Sequence, residues 1–329
     1  MNNPLLETHE LPPFDLIKPE HVLPAIETRL AANLRAIDEL LDAGQTTWSG
    51  LVSVIEQMED ELRQAYSAVG HMNAVVNTPE LREAWNGCLP RLSEYETALG
   101  QNPRLFKAYE AIAASAEYAQ LGKAERKALD NALRDFRLSG IDLPREQQQR
   151  FAEIGKRLAA LSGQFNDNVL DATMAWSKLI SDESELAGLP ASALALASQT
   201  AEQRGEQGYL FTLEFPSYMP VLTYCENQPL RREMYEAYVT RASDLGPNAG
   251  QWDNSQVMTE ILTLEKEKAR LLGFDNYAEL SLATKMAQST DQVLTFLDDL
   301  ASHAKPAAVT EFDELCEFAR TTFGAADIN

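Results

Sequence analysis

The feature that most constrains the fold is an apolar residue at every third or fourth position between residues 151 and 179. This spacing places the apolar side chains on one face of an α-helix. The run follows Pro144, and proline suits the first turn of a helix. The sequence therefore predicts one helix from Pro144 to about Ser181, roughly 57 Å long at 1.5 Å per residue, which must pack against other helices along its length. The predicted seam consists of Phe151, Ile154, Leu158, Leu161, Phe165, Val169, Ala172, Trp176 and Leu179.

Similar spacing predicts helices through most of the remaining chain. Gly44 is predicted to end the first helix, and Thr78 with Pro79 to begin the third. Asn102 with Pro103 and Gly122 with Lys123 are predicted to separate the next two helices. The faces predicted for the first two helices are Val22, Ile26, Leu30, Leu34, Ile37 and Leu41, followed by Leu51, Ile55, Met58, Leu62, Ala65, Val69, Met72 and Val76. Later helices are predicted at residues 228–243, 255–272 and 290–323, with a short surface helix within 184–208.

One segment favours β structure. Residues 209–215 are rich in strand-forming residues and lie between Gly208 and Pro216. Because a lone strand must pair, residues 177–180 are predicted as its partner, and residues 246–250 as a loop. The predicted fold class is all-α, mainly a helical bundle or layers, with one small β-hairpin-like element near 177–180 and 209–215. Residues 1–329 are predicted to form one helical lobe with subregions 1–143 and 144–329.

The composition is strongly acidic, with 50 Asp and Glu against 28 Lys and Arg and a net charge of −22. Such a surface repels phosphates, which argues against nucleic acid and anionic membranes as partners. A negative field that attracts basic peptides is the alternative interpretation. Cys88, Cys225 and Cys316 form no C-x-x-C pair, which indicates reduced thiols. The start of the chain does not resemble a signal peptide, and no apolar run approaches the ~20 residues of a membrane span. These features predict a cytoplasmic protein.

The four histidines, His9, His21, His71 and His303, do not follow the H-E-x-x-H spacing that places two zinc ligands on one helix face. Asp299 lies one helical turn from His303, but two ligands do not make a zinc site. We therefore predict that this chain contains no metal ligand, no catalytic residue and no cofactor of its own.

Other motifs also indicate structure rather than chemistry. The G-x-S-x-G motif is absent, and residues 246–250 follow a helix, where a phosphate-binding loop would follow a strand. The three cysteines are predicted to be small core residues. Adjacent acids at residues 59–61, 298–299 and 313–314 are typical of solvated helix faces. Trp48, Trp85, Trp176 and Trp252 are predicted to pack in the core, with stacking against a peptide as the alternative. No pattern identifies residues that bind substrate.

Several segments resemble the N-terminal half of the thimet-oligopeptidase family of zinc metallopeptidases. They occur in the family's order from the start of the chain to about Phe323. They are residues 3–6, 11–14, 19–22, 130–176, 216–220, 223–225, 231–243, 246–250, 272–278 and 282–286.

The resemblance implies an almost entirely helical fold that lines a deep channel for short peptides. Complete members hold one zinc through H-E-x-x-H and a further Glu, and the Glu of the motif is the general base. The implied zinc site belongs to a C-terminal catalytic half that this chain lacks, so the chain is expected to be truncated and inactive alone. None of the family's ligands can be assigned to a position here.

The sequence leaves two other functions open: a stand-alone helical module that binds peptides or regulates a peptidase, and a purely structural adaptor. If the chain is part of a larger peptidase, the surface that packs on the catalytic half should be an exposed apolar patch, and such a patch would favour self-association.

Overall fold

The computed structural model describes residues 3–7 and 9–325. The described chain is mostly helical. Its helices are α1 (Pro19–Asp42), α2 (Ser53–Val75), α3 (Pro79–Gly100), α4 (Pro103–Ala113), α5 (Lys123–Leu138), α6 (Arg145–Ala175), α7 (Ala191–Gln203), α8 (Phe215–Tyr224), α9 (Gln228–Val239), α10 (Ser255–Leu271), α11 (Tyr277–Leu282) and α12 (Thr290–Phe323). By contacts the chain divides into two compact units, residues 1–264 and 265–329.

The two strands are β1 (Ser177–Ile180) and β2 (Tyr209–Thr212). They pair antiparallel, with Ser177 opposite Thr212 and Ile180 opposite Tyr209. The predicted fold class, an all-α protein with one small antiparallel element, is confirmed. No helix in the described ranges is long and apolar enough to cross a membrane.

Most predicted helix boundaries are confirmed by the caps. Thr78 accepts a hydrogen bond from the backbone N–H of Leu81 at the start of α3, and Asn102 caps α4 in the same way. Gly44 follows α1 with a φ of +68°, a left-handed conformation that glycine adopts without strain. The segments predicted at 228–243, 255–272 and 290–323 contain α9, α10 and α12.

The prediction for α6 is wrong at its C-terminal end. The helix has 31 residues and ends at Ala175, so it is roughly 46 Å long. Trp176 is extended, and the next four residues form β1 because they pair with β2. Leu179, predicted on the seam, consequently points to the outer side of the strand and is 40% exposed. Phe151, Ile154, Leu158, Leu161, Ala172 and Trp176 are buried, as predicted.

The predicted strand at 209–215 is too long. It ends at Thr212, whose backbone N–H donates to the Ser217 Oγ at 3.0 Å. Phe215 begins α8, since Pro216 suits the first turn of that helix. The short helix predicted within 184–208 is α7, but one of its faces is buried through Ala197 and Ala201.

Three apolar clusters form much of the described core of the first unit. The first joins α1, α2 and α3 around Val22, Ile26 and Val69. The second joins the end of α1 and the start of α2 to α4 and α5. The third joins β1 and β2 to α7, α8 and α9 around Phe211 and Met234.

Two residues of the apolar faces predicted for α1 and α2 are exposed. Leu34 is on the outer side of α1, and Val76 lies just beyond the end of α2. At the inner position beside Leu34 the chain places Asn33, which is buried. Asn33 Nδ2 donates to the Tyr95 hydroxyl at 3.3 Å and to the Met58 carbonyl at 3.4 Å. Because its polar atoms have partners, Asn33 can occupy a position that periodicity assigns to a leucine.

Candidate functional site

Two histidines near the N-terminus have structural roles. The imidazole Nδ1 of His21 accepts a hydrogen bond from the backbone N–H of Lys18 at 3.2 Å, in the first turn of α1. The Nε2 of His9 lies 3.0 Å from the Pro4 carbonyl. Both rings therefore hold the backbone that enters α1.

The other two histidines have different neighbours. The ring of His71 lies 5.7 Å from the ring of Phe14. His303 is exposed on α12, with its Nδ1 2.8 Å from the Asp299 carbonyl. Across residues 3–7 and 9–325, no group of three His, Cys, Asp or Glu side chains is placed to hold a metal ion. The described residues therefore do not fit a zinc site.

The cysteines differ in their environments. Cys88 and Cys225 are buried, as predicted. Burial raises the pKa of the Cys88 thiol to about 11, so it is not an activated nucleophile. Cys316 is only partly covered, on a helix that has no buried residue, so its assignment to a core is wrong.

The tryptophans pack as predicted at three positions. Trp176 is buried, Trp48 and Trp85 pack against apolar clusters, and Trp85 stacks on Tyr66 at 5.9 Å between ring centroids. Trp252 is partly buried.

The acids at 59–61 are not simply a solvated face. The Tyr95 hydroxyl donates to the Glu59 carboxylate, and Glu61 pairs with Arg29 at 3.2 Å. The acids at 298–299 and 313–314 are exposed, as predicted.

A cluster centred on Arg82 joins α3 to α6. The Arg82 guanidinium donates to both oxygens of Asp171 at 2.7 Å and lies 3.6 Å from Asp167. Its Nε and one terminal nitrogen also donate to the Asn77 Oδ1. The Asn86 Nδ2 donates to Asp167 at 2.9 Å. A cavity of about 430 Å³ lies beside the cluster.

All three guanidinium nitrogens of Arg82 already donate to protein oxygens. The hydrogen bond to Asp171 is the largest cause of the raised pKa of Arg82. The cluster therefore holds two helices together, and the neighbouring cavity receives no free cation from Arg82.

A second cavity, about 200 Å³ in volume, lies between the N-terminal segment and helices α1 and α2. Its cation is Arg29, whose Nε donates to the Leu5 carbonyl at 2.9 Å. The same guanidinium forms the ion pair with Glu61. These contacts anchor the N-terminal segment.

The other side of α6 is joined to the start of α10. Asn254 is buried, and its Nδ2 donates to the Phe165 carbonyl at 3.1 Å, while its Oδ1 accepts from Asn168 at 2.8 Å. Six residues after Asn254, on α10, Glu260 accepts two hydrogen bonds from Arg157, at 2.5 and 2.7 Å. Polar contacts therefore fix both α3 and the first turns of α10 to α6.

These polar clusters could not be predicted from the sequence because their partners are far apart in the chain. A partial signal exists for Asp167 and Asp171, since two acids four residues apart share a helix face and favour a facing cation. Asn33 and Asn254 carry no local signal, because Asn is also common at solvated positions.

The largest exposed apolar surface of the second unit is on α12. This helix has 34 residues, and none of them is buried. Its exposed large apolar side chains are Leu294, Phe296, Leu297, Leu300, Val309, Phe312, Leu315, Phe318 and Phe323. Surfaces of this kind usually mark an interaction site.

Comparison with known proteins relates the whole chain to peptidases. The family model described as "Neurolysin/Thimet oligopeptidase, N-terminal domain" matches residues 24–148, and the model for peptidase family M3 matches residues 221–329. The chain is 54% identical to oligopeptidase A of Haemophilus influenzae over 328 residues, which is 100% of this chain and 48% of that protein.

Two further relatives extend the comparison. Oligopeptidase A of Escherichia coli is 54% identical over 329 residues, again 100% of this chain and 48% of the relative. The "Organellar oligopeptidase A, chloroplastic/mitochondrial" of Arabidopsis thaliana is 37% identical over 333 residues, covering 99% of this chain and 41% of the relative. The chain spans about half the length of the curated relatives that it matches.

Proposed function

We propose that this chain, which belongs to peptidase family M3 and corresponds to the N-terminal half of oligopeptidase A, forms the channel-lining helical part of an enzyme that hydrolyses short peptides. The observation that carries this proposal is 54% identity to oligopeptidase A across the entire chain. Identity of that extent, without gaps in coverage, supports a shared role for the whole segment.

The structure supports a role as a rigid wall. Helix α6 is fixed to α3 through Arg82 and to α10 through Arg157 and Asn254. Such cross-links between long helices resist bending, which a surface that limits access to a channel requires. In this proposal the chain restricts which peptides enter and does not itself cleave them.

The zinc implied by the family would be held outside this chain. The sequence has no H-E-x-x-H, and the described residues do not fit a zinc site. When bound, the metal of such enzymes activates a water and polarises the peptide carbonyl. We therefore propose that the chain is inactive alone and that its partner is the catalytic half of an oligopeptidase.

The three free cysteines support a reducing compartment, and we propose that the protein is cytoplasmic. Short peptides are its proposed substrates when it is joined to a catalytic half.

A chimera tests the proposed role. Residues 1–329 would replace the corresponding half of the Haemophilus influenzae oligopeptidase A, and hydrolysis of a short quenched-fluorescent peptide would be measured. We expect peptidase activity that is abolished when the Glu of the relative's H-E-x-x-H is changed to Gln. A folded, zinc-loaded chimera without activity would contradict the proposal.

A further inference from the structure

The sequence contains one Asn-Gly pair, Asn86 followed by Gly87, in the interior of α3. In such a pair the backbone nitrogen of the glycine can attack the side-chain amide carbon of the asparagine, because glycine has no side chain that shields this nitrogen. An asparagine followed by glycine therefore loses its amide more readily than other asparagines. The conformation of α3 decides whether Asn86 reacts in this way.

The closed conformation of α3 protects the pair from this reaction. A helical N–H donates to the carbonyl four residues earlier, so the nitrogen of Gly87 is engaged with Glu83. The Asn86 Nδ2 donates to Asp167 on α6 at 2.9 Å. Its Oδ1 lies against the same helix, since a Cβ added to Gly163 would be 3.6 Å from it. The amide is thus held on α6 and is not free to turn towards the nitrogen of Gly87.

Helix α3 is intrinsically weak at this pair. Glycine is among the least favourable residues in a helix interior, and Gly87 occupies such a position. Pro90 has no N–H, so the backbone carbonyl of Asn86, four residues earlier, lacks its helical donor. The Asn86 Oδ1 is also buried without a hydrogen-bond partner among the described residues, which disfavours the closed conformation. These three features lower the free energy required to open α3 at the reactive pair.

Contacts with α6 oppose this weakness. Arg82, four residues before Asn86, donates two hydrogen bonds to Asp171 and lies 3.6 Å from Asp167. Asp167 in turn accepts the hydrogen bond from Asn86. The protection of the pair therefore depends on the Arg82 cluster between the two helices more than on the helical hydrogen bonds of α3 itself.

We propose that Asn86 is a latent site of spontaneous deamidation that becomes reactive when α3 separates from α6. In the opened segment the Gly87 nitrogen forms a bond to the Asn86 Cγ. The amide nitrogen leaves as ammonia, taking the proton of the Gly87 N–H, and a cyclic imide remains. Water then adds to either carbonyl of the imide and opens the ring to aspartate or isoaspartate. Water is the only co-reactant, and the inference does not depend on the proposed peptidase role.

The product would prevent α3 from closing again. A carboxylate in place of the Asn86 amide cannot donate to Asp167 and adds a third negative charge beside Asp167 and Asp171, which share the single cation of Arg82. Isoaspartate also inserts a methylene into the main chain and interrupts the helix. Each opening that leads to reaction is therefore irreversible, and modified chains accumulate with α3 released from α6.

Peptide mass spectrometry measures the reaction directly. The 329-residue chain would be incubated at mildly alkaline pH in buffer and in concentrated urea, digested, and analysed for aspartate and isoaspartate at position 86. We expect deamidation in buffer to be at least about tenfold slower than in urea, because only opened molecules react. R82A should react in buffer at least about fivefold faster than wild type, because it raises the population of the opened state.

Two variants serve as controls. G87A should largely suppress the reaction in urea, and it should fold, because a Cβ at Gly87 meets only Leu23, at 3.8 Å. V221A removes buried methyl groups from an apolar cluster that contains no residue of α3 or α6. At a loss of stability equal to that of R82A, measured by urea unfolding, V221A should accelerate the reaction less.

Three results would overturn the proposal. One is a wild-type chain that deamidates at Asn86 as fast in buffer as in urea. Another is an R82A rate in buffer no higher than that of wild type. The third is equal acceleration by V221A and R82A at equal stability, because the reaction would then follow global unfolding and not the separation of α3 from α6.

N86D tests the consequence of the reaction. This variant carries the carboxylate of the product and should unfold at a lower urea concentration than wild type. The control Q199E adds the same charge at an exposed position of α7 and should unfold like wild type. If N86D and Q199E were equally stable, the product would not keep α3 from closing on α6, and the irreversible step would be wrong.

Discussion

Arg82 on α3 binds Asp171 on α6 through two parallel hydrogen bonds of 2.7 Å each. The side chains are only 23% and 33% exposed, so the pair is better shielded from water than most surface ion pairs. Its geometry is the planar, bidentate one that arginine provides and lysine does not. This contact connects α3 to α6, the longest described helix of the first unit, and fixes α6 as part of the scaffold.

Arg82→Ala should destabilise the protein by about 1–3 kcal/mol, between the values for exposed and buried ion pairs. The loss arises because Asp167 and Asp171 would remain close together without their cation. Urea unfolding followed by circular dichroism measures the change.

The matched control is Arg104→Ala, which removes an exposed ion pair with Asp42. This substitution should change the free energy of unfolding by no more than about 0.5 kcal/mol. Arg82→Lys should recover only part of the loss. Equal effects of the two alanine substitutions would show that the Arg82 cluster does not fix α3 to α6.

Cys88 should be unreactive in the folded protein. Its pKa, raised to about 11 by burial, leaves almost no thiolate near pH 8, and its side chain is buried. Cys316 on α12 should react with iodoacetamide under the same conditions. Mass spectrometry of the alkylated peptides distinguishes the two, and rapid modification of Cys88 in native protein would contradict the structure.

The raised pKa of Cys88 also predicts that the stability of the folded protein falls at high pH. The folded state retains this proton more strongly than the unfolded state, whose thiol has an ordinary pKa near 9.0. The stabilisation is therefore complete below about pH 9 and is lost as the pH rises towards about 11. The free energy of unfolding should fall more steeply over this interval in wild type than in C88A.

Glu265 should destabilise the protein at neutral pH. Burial raises the pKa of its carboxyl group, an effect that Lys268 partly opposes, and its Oε2 is buried without a hydrogen-bond partner. The pKa of Glu265 in the folded state is raised above the ordinary 4.5. The protonated carboxyl group therefore favours the folded state below pH 4.5, and this stabilisation is lost as the pH rises through the raised pKa.

Glu265→Gln should therefore raise the Tm at pH 7, and the difference from wild type should shrink at pH 4 and below. Calorimetry at the two pH values measures this. E314Q, at an exposed position of α12, is the control and should leave the Tm unchanged at pH 7. A Tm of Glu265→Gln that is lower than that of wild type at pH 7 would contradict the assignment.

The helix boundaries could be read from the sequence because caps are local. Thr78 and Asn102 each sit directly before a proline, and both cap the helix that follows. The end of α6 could not be predicted in this way. Trp176 and Leu179 continue the helical spacing, but pairing with a strand some 30 residues later decides their conformation. Local periodicity does not contain that long-range contact.

The polar clusters could not be predicted from the sequence for a similar reason. Asn33 donates a hydrogen bond to Tyr95, which is 62 residues away in the sequence. Arg82 donates to Asp171, which is 89 residues away. Each requires the folded arrangement of two helices. The absence of H-E-x-x-H, in contrast, is a direct property of the sequence, and the structure adds that the described acids and histidines do not gather into a substitute.

The most direct test of the proposed function is the activity and zinc content of the 329-residue chain alone. The purified protein would be loaded with zinc, desalted, analysed by mass spectrometry for bound metal, and assayed with a short quenched-fluorescent peptide. We predict no stoichiometric zinc and no hydrolysis above background. One tightly bound zinc per chain together with peptide cleavage that a chelator abolishes would contradict the account.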